Sequence, residues 1–142
     1  MSETVVLDVE LKSPIERVWN ALTDSATLSR WMLFKSNDFK PVVGHTFQFR
    51  EAPGFDGVID GEVIEVDKPR RLSYTWVSDQ VGPSNLQYST VVTWTLTEAE
   101  GGVTRLNLEQ SGFPSEAKQE IGGAKYGWMS MLDQLQSLLA PA

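Results

Sequence analysis

From Thr4 to Lys12 the chain alternates, with Val5, Leu7, Val9 and Leu11 on one side and Val6, Asp8, Glu10 and Lys12, mostly polar, on the other. A period of two with one apolar side predicts a half-buried strand. The period then lengthens. Ser13-Pro14 offers a helix N-cap and a first-turn proline, and Ile15, Val18, Trp19 and Leu22 follow at helical spacing, so a helix is predicted to about Thr23. Asp24 or Ser25 can cap a second short helix that carries Leu28, Trp31 and Met32 on one face, after which Lys35 to Gly44 reads as loop.

Alternation returns at Thr46 with Phe47 and Phe49. It recurs in Val58 to Val66, in Leu72, Tyr74 and Trp76, in Ser89 to Thr97 and in Val103 to Gln110. Turn residues separate these runs at Pro53-Gly54, Lys68-Pro69, Gly82-Pro83 and Gly101-Gly102. Sequential strands with short connections predict an antiparallel meander, whose one apolar face must be covered. The cover is predicted between Ser115 and Leu139, where Ile121, Ala124, Trp128, Leu132, Leu135 and Leu139 form one stripe of a long helix with Ser115 as a plain N-cap. Gly122, Gly123 and Gly127 interrupt that helix at about 1 kcal/mol each relative to alanine. Such glycines mark a kink, a fray or a close backbone approach.

The 142 residues suffice for one real core, and no linker or repeat divides them, so a single domain over 1–142 is expected. Cysteine is absent, which excludes disulfides and thiolate chemistry and agrees with a cytoplasmic location. Neither a signal peptide nor a membrane span is legible. With 12 basic against 19 acidic side chains the formal charge is -7, which repels phosphate backbones and anionic lipid surfaces, so neither nucleic acid nor stable membrane insertion is expected. The basic group Lys68, Arg70 and Arg71 around Pro69 reads as a solvated turn.

The order strand, two short helices, antiparallel strands and one long C-terminal helix resembles the helix-grip fold of the START-like and birch-allergen-like proteins. Pro14, Val18-Trp19, Ala21-Leu22-Thr23-Asp24 and Arg30-Trp31 are similar to the opening signature of the heat-shock-protein-90 ATPase activator homologue family. Pro41 and Gly44 resemble its proline-glycine turn, and Gly61, Val63, Glu65-Val66, Pro69, Leu72, Tyr74 and Trp76 its central hairpin. Gly102, Thr104, Leu106 and Leu108 resemble its last strand, and Gly127-Trp128 with Leu132 and Leu135 its closing helix. One departure is that His45, and not a second glycine, follows Gly44. The resemblance implies an α+β fold with a curved antiparallel sheet of six to seven strands, two short helices and a long C-terminal helix over its concave face. It also implies a cavity, on a scaffold shared by lipid and metabolite binders, polyketide cyclases and co-chaperones, and the fold alone does not choose among them.

A straight helix over a bent sheet leaves a wedge of space, the usual form of a small-molecule site. Phe47, Phe49, Tyr74 and Trp76 can project into it from strands, Trp31, Met32 and Phe34 from the second helix and its exit, and Trp128, Met131 and Leu132 from the long helix. Each of these ten residues can equally be plain core. As a group, with five Trp, six Phe and three Tyr in the chain, they exceed what tight packing needs. Tyr74 or Trp76 can orient a ligand or bond a neighbouring backbone group. Phe113, in a turn at Ser111-Gly112-Phe113-Pro114, can hang over one end of the wedge, and Gly54 and Gly57 around Phe55-Asp56 read as a flexible hairpin tip.

Candidate chemistry is sparse. His45, the lone histidine, has no carboxylate at ligand spacing, so it reads as a rim residue and no metal or other cofactor is expected. Asp60 and Glu62 share one side of a strand about 7 Å apart and can serve acid-base catalysis if buried, or be simply solvated. Ile64 and Val66 continue their parity, which takes the acids inward unless a bulge near Gly61 intervenes. The first reading is thus a module that binds a small hydrophobic or amphipathic molecule, as a monomer or weak homodimer. The others are a cyclase or hydrolase using Asp60, Glu62, His45 or Tyr74 as acid or base, and a regulatory partner of a heat-shock chaperone, against which the lack of an additional chaperone-binding region counts.

Overall fold

The computed structural model describes residues 2–51, 58–78 and 88–140. Strand β1 (Ser2–Leu11) leads into α1 (Ile15–Thr23) and α2 (Ser25–Trp31). Strands β2 (Ser36–Asn37), β3 (Thr46–Arg50), β4 (Ile59–Asp67), β5 (Arg71–Ser78), β6 (Tyr88–Ala99) and β7 (Val103–Pro114) follow, and α3 (Lys118–Leu139) closes the chain. The strands form one seven-stranded antiparallel sheet in the order β1-β7-β6-β5-β4-β3-β2. The helix-grip expectation therefore holds. The turns expected at Pro53-Gly54 and Gly82-Pro83, and the hairpin tip Phe55-Asp56, lie outside the described residues. No helix among the described residues is long and apolar enough to cross a membrane.

Alternation decides which side of each strand is buried. Leu11 of β1, Phe47 and Phe49 of β3, Ile59 and Val63 of β4, Leu72, Tyr74 and Trp76 of β5, Val92, Trp94 and Leu96 of β6, and Leu106 and Leu108 of β7 all face one core. From the other side Ile15, Val18, Trp19 and Leu22 of α1, Leu28 and Trp31 of α2, and Trp128, Leu132, Leu135 and Leu139 of α3 complete it. Ile121 and Ala124, expected on the same stripe of α3, are only half-buried.

Several local expectations need correction. Ser13 does not cap α1. Pro14 takes the N-cap position, while the Ser13 carbonyl accepts from Thr104 Oγ1 at 2.7 Å and so ties the helix entrance to β7. Nor does Ser115 cap α3, which starts at Lys118 behind Ala117 with no side-chain cap. Asp24 does cap α2, its Oδ2 accepting from Thr27 N at 3.0 Å. The predicted loop from Lys35 to Gly44 contains β2, which pairs Ser36 with Arg50 and Asn37 with Phe49. Two residues of strand are too few for a period to be read. Ser111 to Pro114 is not a turn but the end of β7, where the register against β1 slips by one residue and Gly112 sits at φ +98°. That bulge turns Phe113 fully inward.

Gly61 is required for another reason. A Cβ there would lie 2.3 Å from the Phe47 ring and 2.5 Å from the Thr75 carbonyl oxygen, because the Phe47 ring covers β4 at this point. Gly61→Ala is expected to destabilise the fold by about 1–3 kcal/mol through overpacking, checked by urea denaturation. A change within experimental error would contradict the close approach.

Candidate functional site

The ten residues expected to line the wedge are all buried, and the structure brings them together between the sheet and the helices. Phe34, Phe47, Phe49, Tyr74, Trp76 and Trp128 touch through their rings, and Trp31 joins them through Trp94. Phe34 stacks on Phe49 with centroids 5.6 Å apart and meets Trp76 edge-on at 5.9 Å, and Trp76 reaches Trp128 at 5.2 Å. Phe47 meets Tyr74 edge-on at 5.3 Å. Met32, Met131 and Leu132 fill the margins of the same core. Offset and edge-on contacts of this kind each add about 0.5–1.5 kcal/mol beyond the area buried.

Sequence reasoning missed two rings. Phe39 packs on Phe47 at 5.0 Å and on Tyr74 at 5.5 Å, yet it lies in a segment read as loop. Trp94 meets Trp31 at 6.0 Å and Trp128 at 5.4 Å. Its signal was present, since it shares strand parity with Val92 and Leu96.

The fold supplies acceptors to the indoles of Trp31, Trp94 and Trp128. Trp31 donates to the Ala21 carbonyl at 2.8 Å, and Trp94 donates to the Tyr74 hydroxyl at 2.9 Å. Trp128 donates to Gln110 Oε1 at 2.7 Å; Gln110 Nε2 donates to Thr90 Oγ1 at 2.9 Å, and Thr90 donates to the Trp76 carbonyl at 3.0 Å. This polar line crosses from α3 through β7 and β6 to β5. Its sequence trace was a glutamine at an inward position of a strand whose other inward residues are Thr104, Leu106 and Leu108. Among the described residues no buried side-chain nitrogen or oxygen lacks a hydrogen-bond partner; the Tyr74 hydroxyl is satisfied as the acceptor of the Trp94 indole and keeps its own proton to give. Burial raises the Tyr74 phenol well above the usual tyrosine range, opposed in part by the hydrogen bond from Trp94.

Asp60 and Glu62 are exposed on the opposite side of the sheet. The bulge that decides this falls at Ile64, where the register against β5 shifts between Val63 and Glu65. Ile64 therefore stays outside while Val66 turns toward the core. Asp60 accepts from Gln48 Nε2 at 2.7 Å, and with Asp38, Thr46, Gln48, Glu62 and Thr75 it borders an open outer groove of about 430 Å³. His45 is half-buried at the start of β3 with Nε2 2.8 Å from the Asp38 carbonyl oxygen, so the imidazole pins that segment. Arg71 pairs with Glu65 at 2.9 Å, both about half exposed, which leaves the basic turn solvated.

The fold and its aromatic interior define a helix-grip protein of the START-like class. The family model described as activator of Hsp90 ATPase homolog 1-like protein matches residues 12–140, and the chain belongs to that family. Protein MLL2253 from Mesorhizobium loti is 40% identical over 96% of both chains, with a TM-score of 0.85. Protein CV1439 from Chromobacterium violaceum is 26% identical over 98% of both chains, with a TM-score of 0.79. DynU16, described as a putative protein in the dynemicin biosynthetic locus, is 26% identical with a TM-score of 0.78; the match covers 96% of this chain and 46% of that one. Among curated proteins, none matches.

Gln110→Leu leaves the Trp128 indole without its acceptor and is expected to destabilise the protein by about 1–3 kcal/mol in denaturant titration. Gln48→Leu on the outer face is expected to stay within about 0.5 kcal/mol. Equal effects would contradict the role of the buried line. For Tyr74 the folded pKa lies above the unfolded value of about 10, so its contribution is complete below that pH and is lost as pH rises beyond it. Comparing wild type with Tyr74→Phe between pH 9 and about 11, where unfolded phenols begin to ionise, is expected to show the steeper loss in wild type. Parallel curves would contradict it.

Proposed function

We propose that the protein binds a small hydrophobic or amphipathic molecule, such as a lipid, metabolite or polyketide-like ring compound, between the sheet and α3. The observation that carries this is the interior itself, a group of aromatic rings around a buried hydroxyl, Tyr74 Oη, that accepts from Trp94 and has its own proton left to give. A ligand entering beside Phe34, Phe49, Trp76 and Trp128 would repack those rings around itself and offer a carbonyl, ether or similar acceptor to the Tyr74 hydroxyl. Trp31, Met32, Phe47, Met131 and Leu132 would form the surrounding wall. Burying about 400 Å² of apolar ligand surface yields about 10 kcal/mol before ordering costs, so affinity would be modest and selectivity loose.

Family membership supports a binding scaffold, and likeness to a protein from the dynemicin locus supports a small organic ligand. Acid-base catalysis by Asp60 and Glu62 is less well supported, because their side chains face away from the ring cluster. The neutral fluorophore N-phenylnaphthylamine is expected to brighten on binding with a dissociation constant on the order of micromolar. Trp76→Ala is expected to weaken it at least about ten-fold, or 1.4 kcal/mol, while Asp60→Asn with Glu62→Gln changes nothing. No uptake, together with recovery of a stoichiometric heat-shock chaperone complex, would replace this reading with the co-chaperone one.

A further inference from the structure

The two halves of α3 are held differently. From Trp128 onward the helix is anchored, with Trp128, Met131, Leu132, Leu135 and Leu139 buried and the Trp128 indole tied to Gln110. Between Lys118 and Gly127 only Glu120 is buried, and it is partnered, while Ile121, Ala124 and Gly127 are half-covered. Just before this stretch Phe113 and Ala117 are fully buried and make a second anchor.

Three positions of the lightly held stretch are glycine, and their surroundings do not require it. A Cβ at Gly122, Gly123 or Gly127 would meet nothing within 4 Å, and none of the three has a positive φ. Close backbone approach and left-handed conformation, the usual structural reasons for glycine, are both absent. What remains is their effect on the helix. Each weakens local helix formation about five-fold relative to alanine, and three together about 100-fold.

We infer that Lys118–Gly127 is an arch between two anchors that unwinds locally, and that this unwinding admits and releases the ligand. The inference rests on the binding reading above and adds its route. Position supports it. The arch begins just beyond Pro114, and the register places Pro114 at the same end of the sheet as Arg50, Ile59, Ser78 and Tyr88. Phe49 and Trp76 stand within two residues of that end, and Phe34 and Trp128 pack against them. Segments with few buried contacts supply the low-energy openings of a native protein, and the anchors on either side keep such an opening local.

The test combines amide hydrogen exchange with probe kinetics on the full chain. In wild type, amides of 121–127 are expected to exchange at least about 100-fold faster than those of 131–139. The triple variant Gly122→Ala, Gly123→Ala, Gly127→Ala is expected to slow the first group by at least about ten-fold and leave the second unchanged. Stopped-flow entry of N-phenylnaphthylamine is expected to slow by a similar factor, with little change in affinity. Equal protection of the two halves in wild type, or entry as fast in the variant as in wild type, overturns the inference. If neither protein takes up the probe, the binding reading fails and the arch loses its ligand role with it, whatever the exchange rates show.

Discussion

A helix laid across a bent sheet cannot touch every strand, and the space between them has to be filled by side chains long enough to bridge it. In this protein the bridge is made of rings. Trp76, Trp94 and Trp128 meet in the middle, with Phe34, Phe39, Phe47, Phe49, Tyr74 and Trp31 around them. Large rings bring polar atoms with them, and each buried N–H or O–H left unpaired would cost about 1–3 kcal/mol. The line from Trp128 through Gln110 and Thr90 to the Trp76 carbonyl answers that demand and fixes where α3 lies.

The sheet separates two chemical environments. Its inner face carries rings, aliphatic groups and neutral donors; its outer face carries the Asp60 and Glu62 carboxylates and the Gln48 amide. A deeply buried phenol that keeps its proton suits hydrogen-bond donation, not proton abstraction. On the proposed reading, these features suit the capture of an apolar molecule.

Much of this was legible in the chain. Period-two alternation located six of the strands and the inner faces of five of them, and helical spacing located all three helices, because burial on one side leaves a mark at each position. What escaped was what has no period. Strand β2 is two residues long, the start of α1 is tied by the tertiary bond from Thr104 to Ser13, α3 begins at Lys118 without a side-chain cap, and Phe39 is held by a fold-dependent cluster. The side taken by Asp60 and Glu62 depended on where one extra residue was inserted, and a bulge at Ile64 in place of Gly61 leaves no local signature. Of the ring cluster, Trp94 could have been placed by parity alone, whereas the glutamine that holds Trp128 stood out only as a polar residue at a core position.

The tryptophan indoles provide the most direct test of whether this interior receives a ligand. Heteronuclear NMR resolves their five N–H resonances, one for each tryptophan of the chain. On titration with N-phenylnaphthylamine the Trp76 and Trp128 signals are expected to move in saturable fashion while Trp19, in α1, stays in place. A saturating probe that leaves Trp76 unmoved, or that shifts all of the indoles alike as in general loosening of the fold, would contradict it.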